Sequence, residues 1–210
     1  MHNIVKNLFE IETKINKRAN IIAVSKTFKI DKILPLVDHG HSHFGENKVQ
    51  EAVDKWTDIK NKNSKLNLHM IGKLQTNKVK FAVKLFDYIH SVDSEKLARK
   101  IADEGTKINK KIKIFIQVNI GNEIQKSGII KNELSNLVSI CKSINLDLIG
   151  LMCIPPENLD PTNYFKEMNE LNKSFGFSEL SMGMSGDYLK AVENSSTFIR
   201  IGSSIFGSRS

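Results

Sequence analysis

The sequence predicts an α/β chain folded as a single (β/α)8 barrel preceded by an N-terminal helix, and three observations carry that prediction. From residue 21 onward, short apolar runs alternate with stretches of helical period, and strands alternating with helices pair in parallel through right-handed crossovers. Eight such runs can be counted, which favours a closed TIM-type barrel over an open doubly wound sheet. The 210 residues suit one compact barrel at the low end of the usual size, so residues 1–210 are read as one domain with no room for a second. No internal repeat, low-complexity tract or linker interrupts this order.

Ile4, Leu8, Ile11 and Ile15, spaced by four, three and four, mark the first amphipathic helix. Ile21 to Lys26 reads as the first strand, and Ile30, Ile33, Leu34 and Val37 as the helix after it. His41 to Glu46 is a short second strand, followed by a helix carrying Val49, Val53 and Trp56. Leu66 to Ile71 is the third, with Val79, Val83 and Phe86 lining its helix, and Tyr88 to Val92 is the fourth. The next helix starts at Asp93 or Ser94, both good N-caps, and is expected to stop at Gly105. Lys113 to Ile120 is the most strand-like segment, and Leu134, Leu137, Val138 and Cys141 form a helical stripe behind it. Leu146 to Ile154 is closed by Pro155-Pro156, and Tyr164, Met168, Leu171 and Phe175 define the last long helix. Leu180 to Met184 and Thr197 to Ile201 complete the strands.

Composition narrows the function classes. An apolar fraction of 40% with 26% charged residues is ordinary for a globular chain. No apolar stretch approaches the ~18 residues of a membrane span, and the N-terminus alternates apolar residues with Asn, Lys and Glu where a signal peptide needs an unbroken core. A cytoplasmic protein with no membrane partner is therefore expected. The net charge of +8 rests on lysines scattered among isoleucines and asparagines, with only Arg18, Arg99, Arg200 and Arg209 as arginines. That pattern describes solvated faces, and no nucleic-acid partner is expected. Cys141 and Cys153 have no CxxC spacing and read as reduced, buried thiols.

In such a barrel the site is built from the C-terminal ends of the strands. Those ends carry Lys26, Glu46 with Asn47, Gly72, Asp93, Asn119, Met152, Ser185, and Arg200 with Gly202. The run Ile21-Ile22-Ala23-Val24-Ser25 has the composition of a strand buried on both faces, so Lys26 is held at the mouth of a core. There, desolvation or a second cation lowers an amine's pKa and leaves more of it unprotonated to attack a carbonyl. Taken alone, the same lysine reads more simply as one that ends a strand and snorkels into water. Barrels of this type commonly seat a phosphate against the loops after strands seven and eight, here Met182-Gly183-Met184-Ser185-Gly186 and Arg200-Ile201-Gly202-Ser203-Ser204. Glycines let backbone amides approach an anion, serine hydroxyls add donors, and a helix starting after Ser203 would add more.

Two other patterns carry no chemistry. Gly40-His41-Ser42-His43-Phe44-Gly45 has the spacing of a P-loop opening, but Glu46-Asn47 stands where Lys and Ser or Thr are required. His39, His41 and His43 alternate so that they could share one strand face, yet no further ligand is implied and no metal site is expected.

Several strings, taken in order, resemble the pyridoxal phosphate homeostasis protein family, the stand-alone relative of the alanine racemase barrel domain. They are Ala23-Val24-Ser25-Lys26-Thr27, Phe44-Gly45-Glu46-Asn47 with Val49-Gln50-Glu51, His69-Met70-Ile71-Gly72 with Leu74-Gln75 and Asn77-Lys78, Lys126-Ser127-Gly128, Gly150-Leu151-Met152, Leu180-Ser181-Met182-Gly183-Met184-Ser185, and Arg200-Ile201-Gly202 with Ile205-Phe206-Gly207. The resemblance runs from about residue 20 to residue 209 and departs at Met70, where the family usually has an aromatic, and at Ser195, commonly a glycine.

The resemblance implies a barrel that binds pyridoxal 5′-phosphate with Lys26 as the Schiff-base lysine. It implies that Arg200 faces the pyridine nitrogen, that Ser185, Gly202 and Ser203 hold the phosphate, and that Asn47 lies near the cofactor. An arginine keeps its proton at ordinary pH, so the pyridine nitrogen beside it stays unprotonated and the ring is a weaker electron sink. The function expected is a monomeric carrier that contributes to intracellular pyridoxal phosphate homeostasis and supplies apo-enzymes, without strong catalysis of its own. A small amino-acid racemase is the alternative; it needs acid–base groups on both faces of the substrate α-carbon, one of them drawn in that class from a second domain. A cofactor-free (β/α)8 enzyme forming a Lys26 Schiff base with a phosphorylated sugar is the third reading.

Overall fold

The computed structural model describes residues 2–207, so the ends of the 1–210 reading, Arg209 included, lie outside the described residues. The chain runs α1 (Asn3–Ile15), β1 (Asn20–Val24), α2 (Ile30–Asp38), β2 (His43–Glu46), α3 (Val49–Lys62), β3 (Asn67–Met70), a 3₁₀ turn at Thr76–Lys78, α4 (Val79–Leu85), β4 (Tyr88–Val92) and α5 (Glu95–Lys107). It continues with β5 (Lys113–Val118), α6 (Lys131–Ser143), β6 (Asp147–Cys153), α7 (Thr162–Ser174), β7 (Glu179–Met184), α8 (Tyr188–Glu193), β8 (Phe198–Ile201) and α9 (Ser203–Phe206). The eight strands pair in sequence order, all parallel, and β8 closes on β1 with Ile22 opposite Arg200.

The pleat sorts apolar residues into two layers, because successive strand side chains point to opposite faces. Ile22, Tyr88, Phe115, Met152 and Phe198 pack together inside the barrel. Their strand neighbours Ile21, Ile89, Ile114, Leu151 and Ile199 instead join helical residues such as Leu97, Leu134 and Phe165 in the layer between sheet and helices. Both faces are thus buried, which is why these strands read as near-continuous apolar runs. Each such side chain, fully buried, contributes about 1.5–3 kcal/mol.

Helix α1 buries Ile4, Val5, Leu8, Ile11 and Ile15 against α2, α8 and α9. Asn7 Nδ2 donates to the Ile205 carbonyl at 2.9 Å, which ties this helix to the end of the chain that follows β8. No helix among the described residues is long and apolar enough to cross a membrane.

The observed elements differ from the expected ones where side chains intervene. Strand β1 stops at Val24, leaving Lys26 in the turn beyond. Strand β5 stops at Val118 because Asn119 bonds the Glu123 backbone twice, Nδ2 to the carbonyl at 2.8 Å and Oδ1 from the amide at 3.1 Å. Gly105 does not end α5, which runs on to Lys107. It faces inward, where a Cβ would lie 2.8 Å from the Lys110 carbonyl, so it serves close packing. His39, His41 and His43 do not share a strand: His39 caps α2, His41 Nε2 bonds the His43 carbonyl at 2.9 Å, and only His43 belongs to β2. Cys141 and Cys153 are free and buried, and burial pushes their thiols to about 11 and about 12.

Candidate functional site

Lys26, Asn47, Ser185, Arg200, Gly202 and Ser203 line one cavity of about 500 Å³. They come from the C-terminal ends of β1, β2, β7 and β8, the face where a barrel of this kind builds its site. The volume falls within the roughly 300–1,000 Å³ of small-molecule pockets. Val24, Phe28, Ile71, Ile154 and Met184 supply an apolar wall, and the Phe28 and Phe206 rings lie 5.0 Å apart between centroids. Sequence reasoning did not find this wall, since Phe28 and Ile154 lie in connections whose course depends on the closed barrel.

Lys26 is half-buried between two clamped peptides. On one side, Lys55 Nζ donates to the Ser25 carbonyl at 2.9 Å; on the other, the Thr27 amide donates to Glu51 Oε1 at 2.6 Å. The clamps are joined, because Lys55 also pairs with Glu51 at 3.0 Å and with Glu46 at 2.9 Å. Glu46 is fully buried, and its Oε1 further accepts the Ser25 hydroxyl at 2.7 Å and Trp56 Nε1 at 2.9 Å. Glu46 therefore faces α3 and braces the turn from behind, and it does not line the cavity. Thr27 needs such bracing because its φ of 69° lies in the left-handed region, costly for a β-branched residue. Burial pushes the Glu51 carboxyl upward, but the Thr27 amide and Lys55 outweigh it and hold Glu51 below the ordinary carboxylate range.

Arg200 is buried, and burial lowers its guanidinium from the usual arginine value. Its Nη1 donates to Ser181 Oγ at 2.8 Å and its Nη2 to the Cys153 carbonyl at 2.9 Å. Both acceptors are neutral, and among the described residues no carboxylate lies within ion-pair distance of it. The cavity thus contains a buried positive charge fixed in direction and left for an acceptor to use.

The loops after β7 and β8 carry the anion-binding features. Ser185 follows β7 in a turn closed by Asp187, whose Oδ1 accepts the Met184 amide at 2.6 Å. Ser185 Oγ accepts the Ser204 amide at 3.4 Å, joining that turn to the loop after β8. The four-residue helix α9 begins at Ser203, so Gly202 and Ser203 present backbone and hydroxyl donors together. A Cβ on Gly202 would meet nothing closer than Val24 at 3.6 Å, so its bareness serves the cavity and not the packing. Asn47 is seated by Gly72, where a Cβ would stand 2.5 Å from the Asn47 carbonyl oxygen. Of the other strand-end residues, Asp93 and Asn119 do not line the cavity, and Met152 lies in the barrel core. Among the described residues lining it, the ionisable side chains are Lys26 and Arg200.

Comparison with known proteins gives the chain a family and a fold. The profile of the alanine racemase N-terminal domain matches residues 1–210. The pyridoxal phosphate homeostasis protein of Vibrio cholerae is 38% identical over 90% of this chain and 85% of its own. That of Escherichia coli K12 is 33% identical over 100% of this chain and 98% of its own. Among solved structures, PipY of Synechococcus elongatus with PLP bound superposes with a TM-score of 0.86 at 32% identity, covering 97% of this chain and all of that one. An alanine racemase of Clostridium difficile shares the fold, with a TM-score of 0.80 at 14% identity over 99% of this chain and 57% of its own.

Proposed function

The chain belongs to the pyridoxal phosphate homeostasis protein family, built on the alanine racemase N-terminal domain, and from that premise we propose that it holds pyridoxal 5′-phosphate as a Schiff base on Lys26. The observation that carries the proposal is the convergence of Lys26, Arg200 and the Ser185/Gly202/Ser203 loops on one cavity. The residues fit that cofactor. A half-buried amine meets an aldehyde, the apolar wall of Phe28, Ile71 and Ile154 meets a ring, and bare backbone with serine hydroxyls meets a phosphate. Arg200 can only donate, so it suits an unprotonated pyridine nitrogen as acceptor. Asn47, seated by Gly72, adds a polar group at the mouth.

When bound, the cofactor supplies an aldehyde carbon that exchanges between amines. What this chain adds is retention and release. Lys26 takes up the aldehyde, Arg200 keeps electron withdrawal into the ring weak, and the loops after β7 and β8 hold the phosphate end. Racemisation needs a proton donor and an acceptor on opposite faces of a carbon. With Arg200 always protonated, Lys26 is the one titratable side chain among the described lining residues, which supports carriage over turnover. The reading takes residues 1–210 as a single domain, working as a cytoplasmic monomer that keeps free aldehyde low and hands it to apo-enzymes.

The test is the visible spectrum of purified protein titrated with pyridoxal 5′-phosphate, followed by addition of a cofactor-free enzyme. A visible band that saturates at one cofactor per chain and then falls as the acceptor gains activity is expected. No band at any concentration refutes the reading, and loss of optical rotation from an L-amino acid would replace carriage with racemase activity.

A further inference from the structure

An interior chain of hydrogen bonds runs from Arg200 to the opposite mouth of the barrel. Arg200 Nη1 meets Ser181 Oγ at 2.8 Å, Ser181 Oγ meets His90 Nδ1 at 2.9 Å, His90 Nε2 meets His69 Nδ1 at 2.9 Å, and His69 Nε2 meets His43 Nδ1 at 2.9 Å. Four strands contribute to it besides β8, since His43 opens β2, His69 lies on β3, His90 on β4 and Ser181 on β7. His69, His90 and Ser181 are fully buried, while His43 lines a small cleft at the N-terminal mouth with Glu12 and Lys17. Packing fixes the rings: His69 stacks on Tyr88 with centroids 4.2 Å apart, and His90 on Phe115 at 4.3 Å.

The guanidinium has donors and no acceptor, so Ser181 Oγ must accept from Arg200. The hydroxyl proton then has one partner in the chain, His90 Nδ1. A neutral imidazole carries a single N–H, so a ring accepting at Nδ1 donates from Nε2. The same choice passes from His90 to His69 and on to His43. The reverse direction would leave the Ser181 proton buried without an acceptor, a cost of roughly five- to 150-fold in population. Burial, together with Arg200 beside His90, pushes His69 and His90 well below the usual histidine range and keeps them neutral.

We propose that His90 and His69 are positioning residues for Arg200: the arginine imposes one direction on the chain Arg200→Ser181→His90→His69→His43, both buried histidines are held as Nε2–H tautomers, and the directed chain fixes the guanidinium in the cavity wall. The mechanism described above uses neither histidine. Its consequence for the cofactor rests on the proposed function, whereas the tautomers themselves do not.

The experiment is a long-range 1H–15N correlation spectrum of the ligand-free protein labelled in histidine, at neutral pH, with His69→Gln and His90→Gln assigning the signals. His69 and His90 are each expected to carry the proton on Nε2 in at least tenfold excess. A proton on Nδ1 of either ring, or on both nitrogens, overturns the proposal. In Arg200→Ala nothing obliges Ser181 Oγ to accept and water filling the vacated space can take its proton, so His90 should gain an Nδ1–H signal; a His90 that stays purely Nε2–H means that Arg200 does not set the direction. With pyridoxal 5′-phosphate added, Ser181→Ala should shift the visible band, and Ser181→Thr, which keeps the hydroxyl, should restore it; an unshifted band in Ser181→Ala counts against positioning. If no band forms in any protein while the tautomers are as expected, the carrier reading fails and the directed chain stands.

Discussion

Lys26 sits in a turn, and the residues that make the turn rigid lie outside the cavity. Glu51 holds the strained Thr27 amide at 2.6 Å and shares Lys55 with Glu46. Glu51→Gln keeps the shape and removes the charge, so it should cost about 0.5–1.5 kcal/mol in urea unfolding. Its apparent affinity for pyridoxal 5′-phosphate should fall by up to about tenfold. The sign of its pH dependence follows from the depressed pKa of Glu51. The charged clamp is fully present above the unfolded-state carboxylate value of about 4.3 and is lost as pH falls through the lower folded value. The stability gap between wild type and Glu51→Gln should therefore be constant at neutral pH and close in acid; a gap that persists there contradicts the clamp. Arg200→Ala should move the visible band of the loaded protein without preventing borohydride labelling, and an unchanged spectrum would remove Arg200 from the ring's edge. Lys26 was legible in the sequence because it closes an apolar run, and Arg200 because it is the one charge within the last of them. The clamp was not, because it joins β2 and α3 to a turn through contacts that no periodicity encodes.

At the scale of elements, the α6 stripe was read in full, the α7 stripe missed the buried Phe165, and short pieces were missed. Leu134, Leu137, Val138 and Cys141 all fall on the buried face of α6. The six-residue α8 and the 3₁₀ turn at Thr76–Lys78 are too short to display a stripe. Just past α8, Ser195 has a φ of 69°, a left-handed backbone that a glycine adopts without strain. Ser195→Gly should raise stability by about 1 kcal/mol, read as a higher urea midpoint at unchanged slope, and a lower midpoint would show that the serine relieves its own strain. Strand ends were overestimated wherever a side chain captured the backbone early, as Asn119 does after β5.

The whole molecule encloses histidines in a closed apolar barrel, and this sets its response to acid. His41 is lowered to about 4 by burial, and His43, His69 and His90 are lowered by the same cause. Unfolded, each takes up a proton near pH 6.5, so stability is full above that value and falls below it, by up to about 1.4 kcal/mol per pH unit for each histidine. Urea midpoints measured from pH 7.5 to 5 should decline, and a flat profile would mean that these rings are charged in the fold. The sequence places His43, His69 and His90 on three different strands, and only barrel closure sets His69 against His90 and His90 against Ser181. The central claim concerns one covalent bond, and mass spectrometry of the borohydride-reduced, cofactor-loaded protein tests it most directly. The account predicts one reduced pyridoxyl phosphate adduct per chain, on the peptide containing Lys26 and absent from Lys26→Ala; an adduct on another lysine, or none, would contradict it.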